Sequence, residues 1–143
     1  MTVSGFQFWV LGIVLLALLF GCAAKEKEVF ELKLTKMGSS DYLTIELKGD
    51  TLYSESLPSP VVAMSPQSNM VNVSSELKKL KDHIKEHDFF SWKNETVEGF
   101  DVVTIEITIG NKHNIVQADI GKESSDFKDL EDEIIELAKP RYN

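Results

Sequence analysis

The chain has 143 residues, with 23 acidic residues against 15 Lys and Arg, and its net charge is -8 at pH 7. Such an acidic chain lacks the Lys and Arg clusters that nucleic acids and anionic lipid surfaces require, so we expect neither to bind it. The single cysteine excludes an internal disulfide, and the chain has no G-x-S-x-G motif and no phosphate-binding glycine loop. We therefore expect no enzyme activity and no cofactor.

Residues 1–24 differ from the rest of the chain, because no charged residue precedes Lys25. An apolar run, residues 6–20, ends in Gly21 and the lone Cys22. The run is shorter than the roughly 20 residues that a membrane-spanning helix needs, and a small residue at its end is typical of a secretory signal peptide. The sequence therefore predicts an exported protein.

Leu19, Gly21 and Cys22 resemble the lipobox of bacterial lipoproteins, which runs Leu, a small or branched residue, Gly/Ala/Ser and then a modified Cys. The resemblance implies cleavage between Gly21 and Cys22 and a diacylglyceryl group on the Cys22 sulfur, usually with a further acyl chain on the new amino terminus. Each buried methylene contributes about 0.8 kcal/mol, so two or more chains hold a protein stably on a membrane. The alternative is an uncleaved signal anchor in which Cys22 is a buried free thiol.

This resemblance divides the chain into a signal peptide (residues 1–21), a lipidated cysteine with a short tether (residues 22–28) and one domain (residues 29–139). About 120 residues remain after cleavage, which is enough for a single core. Ala23 is not the Asp that signals inner-membrane retention in lipoproteins of two-membraned bacteria. The resemblance thus implies the outer membrane in such a cell, and otherwise the outer face of the cell membrane.

Three segments alternate between apolar and polar residues, or nearly so, and are predicted strands: residues 29–35, 42–48 and 51–56. Gly49-Asp50 suits a two-residue hairpin turn between the second and the third. We expect the third to lie near a sheet edge, because it is more polar. The turn predicts the register: Leu47 opposite Leu52, Ile45 opposite Ser54 and Glu46 opposite Tyr53.

Residues 57–73 contain three of the four prolines and show no clear period, so we expect a long loop. Its apolar residues make it the candidate contact with a protein partner. The alternative is that it packs over the sheet edge or is disordered. The candidate contact residues are Val61, Val62, Met64 and Met70.

A helix capped by Ser74 or Ser75 is predicted to end near Asp88, with Leu77, Leu80 and Ile84 buried. A strong strand (residues 102–109) then turns at Gly110-Asn111. This hairpin pairs Ile105 with Val116, Val103 with Ala118 and Thr108 with His113.

A last helix begins at Ser124-Ser125-Asp126 and stops before Pro140. Its acidic residues are interpreted as a solvated face: Asp126, Asp129, Glu131, Asp132, Glu133 and Glu136. The element order β-β-β-α-β-β-α predicts an α+β fold, an antiparallel sheet of about five strands with both helices on one face.

His83-Ile84-Lys85-Glu86-His87 fits the H-x-x-E-H pattern of a group of zinc proteases. On a helix, His83 and His87 lie one turn apart and could share a metal, while Glu86 could orient a water. That group resembles much larger enzymes with a further acidic ligand. Solvated histidines, or histidines at the edge of the buried stripe, are therefore the expected interpretation, and a zinc hydrolase is a remote alternative.

The segment from Leu77 and Leu80 through Asp88-Phe89-Phe90, the hairpin at Gly110-Asn111 and the closing helix resemble emfourin-type inhibitors of secreted metalloproteases. This resemblance lies in element order and apolar spacing and carries over no inhibitory residue. The sequence as a whole predicts a lipid-anchored, non-enzymatic binding domain at the cell envelope, held to the membrane by the lipid on Cys22. A protease inhibitor on the same scaffold is the alternative.

Overall fold

The structure, a computed structural model, describes residues 28–39, 41–58, 66–95 and 97–140. These residues form six strands, two helices and one short 3-10 turn, Phe89–Ser91. In chain order the main elements are β1 (Phe30–Met37), β2 (Asp41–Lys48), β3 (Thr51–Pro58), β4 (Gln67–Asn72), α1 (Leu77–Glu86), β5 (Val102–Ile109), β6 (Lys112–Asp119) and α2 (Ser125–Leu137).

The six strands form one antiparallel sheet in the order β4, β3, β2, β1, β5, β6. Both predicted hairpin turns are present, and Gly49 and Gly110 adopt φ angles of +64° and +60°, which glycine accepts without strain. The register of both hairpins agrees with every predicted pair, including Leu47 with Leu52. The first strand of the domain is therefore an inner strand, between β2 and β5.

The predicted count of about five strands is wrong, because residues 57–73 are not a loop throughout. Gln67–Asn72 forms β4, which pairs with β3 in an unbroken register. β3 is therefore an inner strand, and the order is β-β-β-β-α-β-β-α. β4 has only two apolar residues, Met70 and Val71, and they are adjacent, so no alternation marked the strand. Its backbone bonds to β3 supply a stability that local sequence does not signal.

The two-layer α+β architecture is confirmed, with both helices on one face of the sheet. Apolar side chains from one face of all six strands join those of the helices in a single core. Buried strand residues include Leu32, Leu34, Ile45, Leu47, Leu52, Val71, Val103, Ile105, Ile107 and Val116, and buried helix residues include Leu80, Ile84, Phe127, Leu130 and Ile134.

The helix ends differ in detail from the prediction. Neither Ser74 nor Ser75 caps α1, whose N-cap position is Glu76, and each serine hydroxyl bonds a neighbouring side chain instead. α1 ends at Glu86, since Asp88 adopts a left-handed φ of +50° that a right-handed helix cannot include. α2 begins and ends as predicted.

One acidic side chain of α2 is buried and not solvated as expected. Glu131 is 0% exposed, and its two carboxylate oxygens accept bonds from Lys36 Nζ at 2.7 Å and Lys128 Nζ at 3.0 Å. Lys36 follows Leu34 on the helix-facing side of β1, where the alternation alone would favour an apolar residue. A buried carboxylate is costly unless it is paired, so this ion pair joins α2 to the inner strand of the sheet.

Candidate binding surface

The face of the sheet opposite the helices is open in the part of the chain that the structure describes. Successive strand residues point to opposite faces, so the residues between the core positions lie on this open face. It carries several large apolar side chains that are at least 39% exposed: Met37, Tyr53, Leu57, Met70 and Ile115. Tyr53 and Met70 are direct neighbours across β3 and β4, and adjoining exposed apolar side chains are typical of a contact with another molecule.

The centre of the open face is a network of charged side chains that are paired with one another. Glu46 accepts from Lys33 at 3.0 Å and from Lys48 at 3.1 Å, and the bond from Lys33 lowers the pKa of Glu46 while raising that of Lys33. Lys48 Nζ also lies 5.4 Å from the ring centroid of Tyr53. Covering this network would remove water from paired charges, so the apolar margins are the better contact surface.

A shallow groove of about 580 Å³ lies beside this network, across β2, β3 and β4. Tyr53 and Met70 contribute its apolar part, and Thr44, Glu55 and Ser68 contribute polar groups. The hydroxyl of Thr44 donates to Tyr42 Oη at 2.7 Å. The groove therefore offers both apolar and hydrogen-bonding contacts next to the β4 edge.

Some of these exposed apolar side chains lie, with others from a loop, at the end of the sheet where β1 finishes. We call this end of the sheet the distal end. Met37 is the last residue of β1 and is 54% exposed, while Phe100, two residues before β5, is 97% exposed. Leu57 and Val97 are exposed at the same end. Phe100 is the most exposed large apolar residue in the described parts of the chain.

The loop that carries Phe100 is held firmly at its base. The buried carboxylate of Asp119 accepts from the backbone N–H of Glu98 at 3.1 Å and of Gly99 at 3.3 Å. The bond from Glu98 is the main cause that lowers the pKa of Asp119. Ile120 N donates to the carbonyl of Asp101 at 2.9 Å and closes the other end of the loop. Phe100 is thus presented by an ordered backbone and not by a loose segment.

Of the candidate contact residues, Met70 lies on β4 at the margin of the open face and is 69% exposed. The other contact candidates, Val61, Val62 and Met64, lie outside the described residues, and so do the predicted cleavage and lipid-attachment residues, Gly21 and Cys22. Phe100 was not predicted, although an aromatic residue inside a polar loop after Gly99 is a signal that could have indicated it. Among the described residues, no helix combines the length and the apolar character needed to span a membrane.

His83 lies on α1 and His87 directly follows its last residue, and their ring centroids are 4.5 Å apart. Each faces a carboxylate of α2, since His83 Nδ1 pairs with Glu133 and His87 Nδ1 lies 3.6 Å from Asp126. Within the described ranges, no group of three or more His, Cys, Asp or Glu is placed to hold a metal ion. In this geometry the two histidines connect the helices to each other.

Comparisons with known proteins do not assign a function to this surface. The chain matches no protein-family model and no curated protein sequence. The functional interpretation therefore depends on the residues and their geometry.

We expect Asp119→Asn to lower the melting temperature at pH 7, because a neutral amide oxygen accepts from the two backbone N–H groups more weakly than a carboxylate does. The pKa of Asp119 in the folded state lies below the ordinary pKa of an aspartate. The stabilisation by its carboxylate is therefore complete at pH values above the ordinary pKa, and it is lost as the pH falls through the folded-state pKa. The melting temperatures of wild type and Asp119→Asn should therefore converge below about pH 4. Thermal unfolding of the full chain, followed by circular dichroism at a series of pH values, measures this difference.

The matched control is Asp129→Asn, at an exposed aspartate on α2. It should leave the melting temperature nearly unchanged at every pH of the series. A difference between wild type and Asp119→Asn that stays constant from pH 7 to about pH 3 would contradict the role given to the Asp119 carboxylate.

Proposed function

We propose that the chain is a lipid-anchored protein of the cell envelope whose domain binds another protein through the distal end. The pattern Leu19, Gly21, Cys22 after an apolar run supports the anchor. One observation carries the binding role: Phe100 is 97% exposed on a loop that Asp119 holds in place. The activity proposed is recognition, without a catalytic step.

An aromatic side chain held in water by an ordered loop makes no contribution to the core. Burying an exposed Phe against a partner removes a large apolar area from water, and aromatic residues commonly dominate binding energy at protein interfaces. Because the loop is already ordered, little conformational entropy is lost on binding. Met37 and Leu57 lie at the same end and extend the apolar contact around Phe100.

The start of the described chain, at Glu28 and Val29, and the distal end lie at opposite ends of the sheet. The domain begins where the carbonyl of Val29 accepts from Gly110 N at 2.8 Å and Glu28 pairs with Lys81 at 3.2 Å. From there β1 runs eight residues, about 26 Å, to Met37. The six residues that follow Cys22 reach only about 20 Å when extended. The anchor therefore leaves Phe100 uncovered.

The charges around the distal end indicate the chemistry of the partner. Asp41, Glu98 and Asp101 lie at this end of the domain, where Lys122 pairs with Glu98 at 3.2 Å, and the whole chain has a net charge of -8. An anionic lipid surface would be repelled there, whereas a protein with a basic rim around an apolar pocket is complementary. The partner proposed is therefore a basic protein surface.

We expect the mature amino terminus to be an acylated Cys22. Mass spectrometry of the amino-terminal peptide from the membrane fraction should show loss of residues 1–21 and the added mass of the acyl groups. In Cys22→Ser the chain should leave the membrane fraction or keep its leader uncut, because serine oxygen does not accept the diacylglyceryl group. An intact Met1 terminus in the wild type contradicts the anchor.

We expect a photoreactive phenylalanine analogue at position 100 of the full chain to form a discrete protein adduct in the cells that make it. The matched control carries the same analogue at Lys78, which is exposed on α1, and should give no such adduct. Met37→Asp should weaken the adduct at position 100, since it places a charge in the apolar contact. Immunoblotting of irradiated cells measures all three.

Phe100→Ser should change the free energy of unfolding by less than about 0.5 kcal/mol, since an exposed side chain has few native contacts to lose. A larger loss would mean that Phe100 has a structural role. Adducts with lipid alone, or equal protein adducts at positions 100 and 78, would contradict binding through the distal end.

Inhibition of a secreted metalloprotease is the second candidate. The structure contains, in order, the elements on which the resemblance to emfourin-type inhibitors rests: α1, the Phe89–Ser91 turn, the β5–β6 hairpin and α2. If the domain is such an inhibitor, the full chain should reduce the activity of a thermolysin-type protease at about 10 µM. Unchanged protease activity at that dose would remove this candidate.

A further inference from the structure

We propose that the edge of β4 pairs with β4 of a second copy of this chain, antiparallel and about a two-fold axis at Met70. β4 is an edge strand of six residues with an unbroken register to β3. It lacks the features that protect edge strands from pairing, since it contains no charged residue, no proline and no bulge. This pairing does not depend on the lipid anchor or on the distal end.

The register determines which backbone groups of β4 point outward. Val73 N donates to Asp50 O at 2.8 Å, so this pair is a hydrogen-bonded one. Hydrogen-bonded pairs alternate along an antiparallel ladder, so Val71, Asn69 and Gln67 also bond toward β3. The N–H and C=O groups of Ser68, Met70 and Asn72 therefore point away from the sheet, and none has a partner in the described ranges.

The opposite edge of the sheet, β6, is partly occupied by another segment of the chain. By the same alternation, the outward residues of β6 include Ile115 and Gln117. Gln117 O accepts from Glu95 N at 2.9 Å, and Gln117 N donates to Asn94 Oδ1 at 3.2 Å. Ile115 N donates to its neighbour Asn114 at 3.0 Å. The segment before β5 thus occupies the β6 edge at Gln117, and in the described parts of the chain β4 is the edge that has no such segment beside it.

Charge indicates why the partner strand is a second copy. Two chains of net charge -8 repel each other over most of their surfaces, but β4 is neutral along its whole length. An antiparallel pairing centred on Met70 places Met70 opposite Met70 and Ser68 opposite Asn72, with no like charges across the axis. It also buries the Met70 side chain, which is 69% exposed in one copy.

Sheet twist makes this arrangement compatible with two tethers on one membrane. β1 is the fourth strand from the β4 edge, so it lies three and a half strand spacings from the two-fold axis. A twist of about 20 to 25° per strand rotates each β1 by about 70 to 90° relative to the strand direction at the two-fold axis. Each β1 therefore runs nearly parallel to that axis. The two β1 strands then run in the same direction, and both tethers leave from the same side of the dimer.

The interface is small, since one edge strand of six residues is paired in each copy. Interfaces below about 1,000 Å² are weak and transient. Two copies held in the same membrane meet more often than free copies do, because tethering raises their effective concentration. We therefore expect a reversible dimer that is detected best by trapping it.

Disulfide trapping of the full chain tests the proposal in a Cys22→Ser background, so that the introduced thiol is the only one. Because this change removes the tether, the chain is used in detergent at high protein concentration, which replaces the effective concentration that the membrane supplies. Met70→Cys should form a disulfide-linked dimer under mild oxidation, because the two-fold axis brings the two sulfurs together. The matched control is Ile115→Cys, an exposed position on the same face at the β6 edge, which should not. Equal trapping at the two positions would overturn the proposal.

A proline substitution tests whether trapping needs backbone hydrogen bonds between the two β4 strands or only the proximity of two chains. Ser68→Pro removes an outward N–H and leaves the bonds of β4 to β3 in place, so it should abolish trapping at position 70, whereas Ser68→Ala should not. Register supplies a test that does not need the proline variant to fold. Ser68→Cys alone should trap poorly, and a mixture of Ser68→Cys and Asn72→Cys chains should trap well. Persistent trapping in a folded Ser68→Pro chain, or equal trapping by Ser68→Cys alone and by the mixture, would overturn the proposal.

Discussion

The register of the two tight hairpins is the constraint on which the rest of this structure depends. The turns at Gly49 and Gly110 need positive φ angles, and each leaves one way for its flanking strands to pair. β1 joins the hairpins as an inner strand, with β2 on one side and β5 on the other. A slip of one residue would move every apolar side chain of a strand to the open face, so the core and the exposed surface are set together.

Both functional proposals concern surfaces that this arrangement leaves uncovered. The helices cover one face, the segment at Glu95 pairs with one edge, and the described chain begins with Glu28 at the end where β1 starts. Among the described residues, none covers the open face, the β4 edge or the distal end. Their exposed apolar side chains, Met70 and Phe100 among them, are therefore accessible for contacts outside the domain.

Two of the acidic side chains on the sheet and on α2 form ion pairs within the domain. Glu131 is buried against Lys36 and joins α2 to the sheet, whereas Glu46 is paired on the open face. The remaining acidic excess gives the domain its repulsion toward like-charged surfaces. The β4 edge contains no charged residue, so this repulsion is weakest there.

The periodicity of the sequence determined the fold class, five of the six strands, both helices and the register of both hairpins, because alternation and glycine turns are local signals. Tertiary structure alone decided that Gln67–Asn72 is a strand, since its stability comes from pairing with β3 and not from its own residues. It likewise decided that Glu131 is buried and that Phe100 is exposed. Whether an isolated polar or aromatic residue is buried or exposed depends on which elements pack around it, and no short stretch of sequence contains that information.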